Sequence, residues 1–146
     1  MRTKVSLIDF PEKWIPYEDR VEYDIKMLEI NGKCEVLEDL VKYMEKNQKD
    51  FYKLINSLIM QLKSKRILHP GPRLSHYKKN PNVLEYKSVK GHGRIFGFFS
   101  QEERSIIVCT NCYWKTTDKK KKQTLAFEKA DSLRNTYQQM IKGETK

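Results

Sequence analysis

Long apolar runs are missing from this 146-residue sequence. No stretch approaches the roughly twenty apolar residues that a bilayer crossing demands, and residues 1–10 carry no apolar core of a secretory leader. A membrane span is excluded on this reading, and a cytoplasmic protein is expected. Cysteine is scarce as well: the three present are an odd number without framework spacing, which excludes a disulfide scaffold and fits a reducing compartment. Glycine-rich phosphate loops, paired metal-binding carboxylates and a Ser-His-Asp arrangement are also lacking, so no cofactor and no metal are expected. The one CxxC, Cys109-Thr110-Asn111-Cys112, falls in a strand, where positions three apart point to opposite faces, and only Cys34 remains as a further thiol. Neither zinc nor redox chemistry follows from it. Acidic residues are the other shortage, 19 against 29 Lys plus Arg, which leaves a net charge of +10. A field of that sign gathers polyanions, whether nucleic acid, an acidic protein or an anionic membrane surface.

What is present is enough for one folded domain. Hydrophobic residues make up 38% and aromatics 11% of the chain, too much for a disordered polyampholyte and enough for a core without staples. Residues 1–19 hold Pro11 and Pro16 and show no sustained periodicity, which predicts an irregular arm whose Phe10, Trp14 and Tyr17 pack onto the domain. The domain itself is expected over residues 20–142, with a frayed tail at 143–146.

From Arg20 the pattern alternates, with Val21, Tyr23, Ile25 and Met27 on one side and Glu22, Asp24 and Lys26 on the other, which predicts a half-buried strand ended by Asn31-Gly32. Val36, Leu37, Leu40, Val41 and Met44 then mark a helix face that stops near Asn47. Phe51, Leu54, Ile55, Leu58, Ile59 and Leu62 mark a second helix, with lysines opposite. Pro70, Gly71 and Pro72 break the pattern and residues 76–81 read as a basic loop. Strands follow at 83–89, 93–99 and 105–114, joined by short connections as in an antiparallel meander. A last helix presents Ala126, Ala130, Leu133, Tyr137 and Met140. The order predicts an α+β layer arrangement with the helices covering one sheet face.

Three segments carry a resemblance. Asn31-Gly32-Lys33-Cys34-Glu35-Val36-Leu37-Glu38-Asp39-Leu40 leads from a strand into a helix, Gly93-Arg94-Ile95-Phe96-Gly97-Phe98-Phe99 is similar to a "(G/Y)RIFYFF" strand, and residues 106–117 followed by lysines resemble "IVLLHGFVKKTQKTP". Glu128-Lys129-Ala130 with Leu133-Arg134 matches a closing "EKA…LR" helix. Together they resemble the RelE/ParE superfamily, in particular the phage-derived, HigB-like branch of toxins from type II toxin–antitoxin systems, over roughly residues 21–140. The resemblance implies a RelE-like fold, an antiparallel sheet of about four strands with an N-terminal helical hairpin and a C-terminal helix. It also implies a ribosome-associated mRNA endonuclease that inhibits translation and is held inactive by a cognate antitoxin, a small helix-turn-helix protein. Asn111-Cys112-Tyr113 departs from the branch's His-Gly-Phe, and the lysine run lacks its proline.

RNA is cut without a metal when its own 2′-hydroxyl attacks the neighbouring phosphate, provided the protein takes the proton, neutralises the phosphorane and protonates the leaving oxygen. Lys87 and Arg94 come from adjacent predicted strands and Lys115 lies near the end of the third. The resemblance assigns Lys87 to activating the nucleophile or holding the phosphate, Arg94 to transition-state charge, and Lys115 to the leaving group or phosphate. Arginine's forked donors suit a phosphate best, which singles out Arg94. His92, between Gly91 and Gly93, is a candidate general acid or base. Tyr113, on the face of Lys115, is a candidate base-stacking ring, with Trp114 buried or under the last helix. Lys90 and the run Lys119, Lys120, Lys121 and Lys122 are candidate phosphate grips.

Each residue has a plainer reading beside this one. Lys87 and Lys115 read singly as solvated sheet lysines, Arg94 as half of a salt bridge to Glu22 or Glu85, His92 as a turn residue, and the lysine run as a solvated loop. His69 and His76 are loop histidines on this basis. Two rival functions remain: a non-enzymatic inhibitor of DNA gyrase, as on the ParE side of the superfamily, and a degenerate homologue that only binds RNA or a partner.

Overall fold

A computed structural model of the chain describes residues 3–19, 23–63, 74–88, 91–100, 106–114 and 120–144, with backbone only at 120, 121 and 142–144. Strands β1 (Val5–Asp9) and β2 (Asp24–Ile30) precede helices α1 (Glu35–Lys46) and α2 (Gln48–Lys63). Strands β3 (Leu74–Tyr77), β4 (Asn80–Lys87), β5 (Gly93–Phe99) and β6 (Ile106–Trp114) then lead to α3 (Lys120–Glu144). The sheet order is β1-β2-β6-β5-β4-β3. After β2 the chain passes along one face as the α1–α2 hairpin, enters the sheet again at its far edge, and winds back as a meander until β6 lies beside β2. That last pairing is parallel, from Asp24↔Ile106 to Met27↔Cys109, and all the others are antiparallel.

The α+β class stands, but the expected RelE-like sheet of about four antiparallel strands does not. Six strands form a mixed sheet, and the helical hairpin follows two strands instead of opening the domain. Two short edge strands account for the extra pair. Part of the supposedly irregular arm, Val5–Asp9, pairs with β2, and Leu74–Tyr77, partly read as loop, pairs with β4 across the Lys78-Lys79 turn. Phe10 and Trp14 are buried as expected, whereas Tyr17 is 59% exposed. The start of the predicted first strand, residues 20–22, lies outside the described residues.

Helices cover both sheet faces, not one. Alternation sends Leu84, Tyr86, Ile95, Ile107 and Cys109 to the side of α1 and α2, where they meet Val36, Leu40, Phe51, Leu54, Ile55, Leu58 and Leu62. Each fully buried aliphatic or phenyl group there contributes about 1.5–3 kcal/mol. The opposite side carries Val83 and Phe96 against Ala126, Phe127 and Ala130 of α3, and Phe98 and Val108 against Tyr137. Buried Asn111 fastens that layer, its amide donating to the Ala126 carbonyl at 3.2 Å. Glu35 and Lys129 join α1 to α3 at 2.5 Å.

A β-bulge corrects the sequence argument about the CxxC. Phe96 pairs with Asn111 but Gly97 pairs with Cys109, so Thr110 is the extra residue. One inserted position restores the alternation, and Cys109 and Cys112 both pack on the α1–α2 side together with Cys34. Burial raises all three thiols above their usual value, with backbone hydrogen bonds from Leu37 and Val36 working the other way at Cys34. Among the described residues no three His, Cys, Asp or Glu side chains form a metal-ligand group. No helix among them is long and apolar enough to cross a membrane.

Candidate functional site

Strand register builds the site. Lys87 of β4 is directly opposite Arg94 of β5, and Arg94 is directly opposite Tyr113 of β6. Directly opposed residues share a sheet face with Cβ atoms about 4.5–5.5 Å apart. The three therefore form one transverse row on the α3 face, at the end of the sheet where β4 and β6 finish and β5 begins. All three are half-buried. Tyr113 stacks on Phe96, centroids 5.7 Å apart and planes 21° from parallel, which fixes its ring beside the guanidinium. Burial raises the Tyr113 phenol; the Glu85 carboxylate adds to the rise and Arg94 works against it.

Arg94 and Tyr113 also form one wall of a pocket of about 510 Å³ at this end of the sheet. The facing wall is α1, which supplies Asp39, Lys42, Tyr43 and Lys46, while Cys112 and Trp114 contribute from β6. Lys42 and Lys46 are one helical turn apart and exposed, so both ammonium groups address the same opening. Asp39 is the acidic member of the lining. Burial raises its carboxyl, Glu35 adds to the rise, and Lys129 and Lys42 oppose it. Cations on two walls with Tyr43, Tyr113 and Trp114 between them suit a ligand that is both anionic and planar.

Beneath the pocket a buried carboxylate ties the helices to the β4–β5 connection. Asp50 accepts the Tyr43 hydroxyl, and its Oδ2 accepts the His92 backbone N–H at 3.0 Å. The Asn47 Oδ1 caps α2 by accepting the Asp50 backbone N–H at 3.1 Å, and the Asn47 N–H donates to the Tyr43 carbonyl, which leaves the Asp50 carboxylate for this task. Burial raises the Tyr43 phenol far above its ordinary value; the hydrogen bond and charge of Asp50 add to the rise, and Arg94 and a Gly93 backbone hydrogen bond oppose it. Arg94 Nη1 donates to the carbonyls of Gly91 and Gly93, each at 2.8 Å. Its head group is thereby fixed to the same connection that Asp50 holds.

The residues singled out from sequence fare unevenly. Lys87, Arg94 and Tyr113 come together. His92 is exposed at the rim, its ring 6.0 Å from Trp114 and 13° from parallel, with its backbone N–H held by Asp50. Trp114 lies under α1 against Tyr43, not under the last helix. The proposed salt bridge from Arg94 to Glu85 is replaced by the two carbonyl contacts, and Glu85 accepts the Gln123 amide at 2.9 Å instead; Glu22 lies outside the described residues. Lys122 is exposed on the first turn of α3, Lys120 and Lys121 are described only as backbone, and Lys90, Lys115 and Lys119 lie outside the described residues. His76 sits in β3 rather than a loop, and His69 lies outside the described residues.

Lys42, Lys46, Tyr43 and Asp50 were missed. Asp50 did leave a signal: it falls four residues before Leu54 on the apolar stripe of α2, where a charged residue needs a buried partner. No family model, curated protein or solved structure matches this chain.

Proposed function

We propose that this protein binds single-stranded RNA at the Lys87–Arg94–Tyr113 row and cleaves it, as the toxin of a cytoplasmic toxin–antitoxin pair. The observation that carries the reading is the register, which aligns an ammonium, a guanidinium and an aromatic ring across three adjacent strands beside a pocket with two more lysines. Arg94 and Lys87 hold the scissile phosphate, Lys42 and Lys46 hold flanking phosphates, and an unpaired base lies against Tyr113. In the cleavage step the 2′-oxygen forms its bond to phosphorus while the bond to the 5′-oxygen breaks. The 2′-hydroxyl proton leaves to a base and a proton is delivered to the 5′-oxygen, giving a 2′,3′-cyclic phosphate and a 5′-hydroxyl. Following the sequence resemblance, Lys87 activates the nucleophile or holds the phosphate and Arg94 stabilises the phosphorane, while exposed His92 is the candidate proton carrier. The role of Lys115 with the leaving group, the helix-turn-helix antitoxin and the ribosome as the setting all rest on the sequence resemblance alone. The test is incubation of the purified chain with end-labelled single-stranded RNA, followed by analysis of the product ends. Cyclic-phosphate ends that vanish in Arg94→Ala support the reading, and intact RNA at saturating protein contradicts cleavage.

One observation favours a second reading, binding without cleavage. Arg94 Nη1 is committed to two backbone carbonyls, so only Nε and Nη2 remain for phosphate. A guanidinium so anchored still grips a ground-state phosphate. The same incubation separates the two readings, because a bound but uncut RNA shifts in a gel without new ends.

A further inference from the structure

We infer that Asp50 is a positioning residue for the RNA site, setting the place of the Arg94 guanidinium through the backbone of residues 91–93. Only its functional consequence rests on the RNA-binding reading.

Three observations converge on Asp50. Asp50 is 6% exposed, yet the partners its carboxylate holds belong to other elements: the Tyr43 hydroxyl of α1 and the His92 N–H of the β4–β5 connection. The helix it sits on is already capped by Asn47, and the Asn47 N–H that a carboxylate at this position accepts in a capping box donates to the Tyr43 carbonyl instead. Residue 92 lies between the two carbonyls, those of Gly91 and Gly93, that hold Arg94 Nη1 at 2.8 Å. A shift of the His92 peptide therefore moves both acceptors of the guanidinium together.

The space around this connection makes the link stiff. A Cβ on Gly91 would collide first with the Ser88 hydroxyl and would also lie 2.9 Å from Asp50 Oδ1, and one on Gly93 would lie 2.7 Å from the Tyr43 hydroxyl. Both glycines thus let the connection pack closely, Gly91 against Ser88 and Asp50 and Gly93 against Tyr43. Asp50 and Tyr43 hold the connection from the helices, and Arg94 is fastened to the same connection through the Gly91 and Gly93 carbonyls. Ser57, two turns along α2 from Asp50, fastens the other arm of the hairpin by donating to the Lys87 carbonyl at 2.8 Å. One helix face thus holds the backbone next to both cations of the row.

The experiment is a double-mutant cycle between Asp50→Asn and Arg94→Ala, read by the affinity for a fluorescent single-stranded RNA and by the Arg94 Nε–Hε signal in nitrogen-edited NMR spectra. Asparagine keeps the size of the side chain but loses one acceptor, so Asp50→Asn is expected to shift the Arg94 signal and weaken binding about tenfold, the usual cost of a lost hydrogen bond to a charged group. In the Arg94→Ala background the same substitution is expected to change affinity less than twofold, since a residue acting through Arg94 has nothing left to position. Tyr43→Phe, which removes one hydroxyl, carries the same test if Asp50→Asn does not fold. An unmoved Arg94 signal in the folded variants, or losses that multiply in the double mutant, overturns the proposal. If the wild-type chain binds no RNA while the Arg94 signal still moves in Asp50→Asn, the positioning role stands and the RNA reading fails.

Discussion

Lys87 and Arg94 stand directly opposite one another in the β4–β5 ladder, two cations where a sheet ordinarily pairs opposite charges. Like charges so placed repel, at a cost of roughly 0.2–1 kcal/mol relative to a neutral pair. Arg94 has a structural tie in the Gly91 and Gly93 carbonyls, but the repulsion gives stability no reason to place Lys87 opposite it. A polyanion bridging the two cations turns the repulsion into attraction, which is the physical core of the RNA reading.

Replacing Lys87 by methionine keeps the aliphatic stem and removes the repulsion. The expected outcome is a melting midpoint equal to or slightly above wild type, together with RNA affinity at least fivefold weaker. Calorimetry and fluorescence anisotropy on the same preparation check the pair of effects. A lower midpoint with unchanged affinity would show Lys87 to be an ordinary structural lysine.

Lys42 and Lys46 face the pocket from α1. If each touches a phosphate of single-stranded RNA, Lys42→Gln and Lys46→Gln each lower the slope of log affinity against log salt by about 0.7. Lys53, exposed elsewhere on α2, serves as the control. An equal change of slope for Lys53→Gln would mean the net charge, not the pocket, attracts the RNA.

Gly97 sits at the bulge between β5 and β6, where an added Cβ would collide with the Val108 backbone carbonyl. A carbonyl in the ladder cannot step aside as a flexible side chain can. Gly97→Ala is therefore expected to cost about 1–3 kcal/mol or more in urea unfolding. A midpoint within error of wild type would show that the bulge is not held as tightly as its register indicates.

The buried thiols set the response to alkali. Cys109 and Cys112 are raised above the usual 9.0 by burial. The unfolded chain releases those protons near pH 9 while the folded chain keeps them, so above that point the unfolded state binds fewer protons and stability falls as pH rises. Stability from this source is complete below about pH 8 and is lost progressively above pH 9. Urea midpoints between pH 7 and pH 11 check the fall, which should be smaller in Cys109→Ala. The same burial predicts that Cys109 resists alkylation at pH 8 until urea unfolds the chain.

How much of this was legible depended on how locally each feature is encoded. The apolar stripes of α1 and α2 and the alternation of Ile25 and Met27 were plain, because burial on one face repeats along the element. Strands β1 and β3 were hidden. Each is an edge of four or five residues mixing Ser, Asp or His with apolar groups, and edge pairing is decided by the neighbouring strand rather than by its own pattern. Lys87 and Arg94 were expected together with Lys115, which lies outside the described residues, through the sequence resemblance, and Tyr113 only as a stacking ring beside Lys115; its place in one row with Lys87 and Arg94 comes from the register. The surroundings of the row were not expected: Lys42 and Lys46 look like solvated helix lysines until the fold brings α1 to the end of β6. Asp50 could have been found, since it interrupts an apolar stripe. The shared face of Cys109 and Cys112 could not, because Gly97 is the sole local hint of the bulge that creates it.

The central claim is that one row of side chains at the sheet end receives RNA. Its most direct measurement is the dissociation constant of a fluorescent single-stranded RNA for wild-type protein and Arg94→Ala, taken over a range of salt, with the fold of the variant verified by circular dichroism. The account predicts a loss of at least tenfold at physiological salt and a shallower salt dependence in the variant. Equal affinities and parallel salt slopes for the two folded proteins would contradict it.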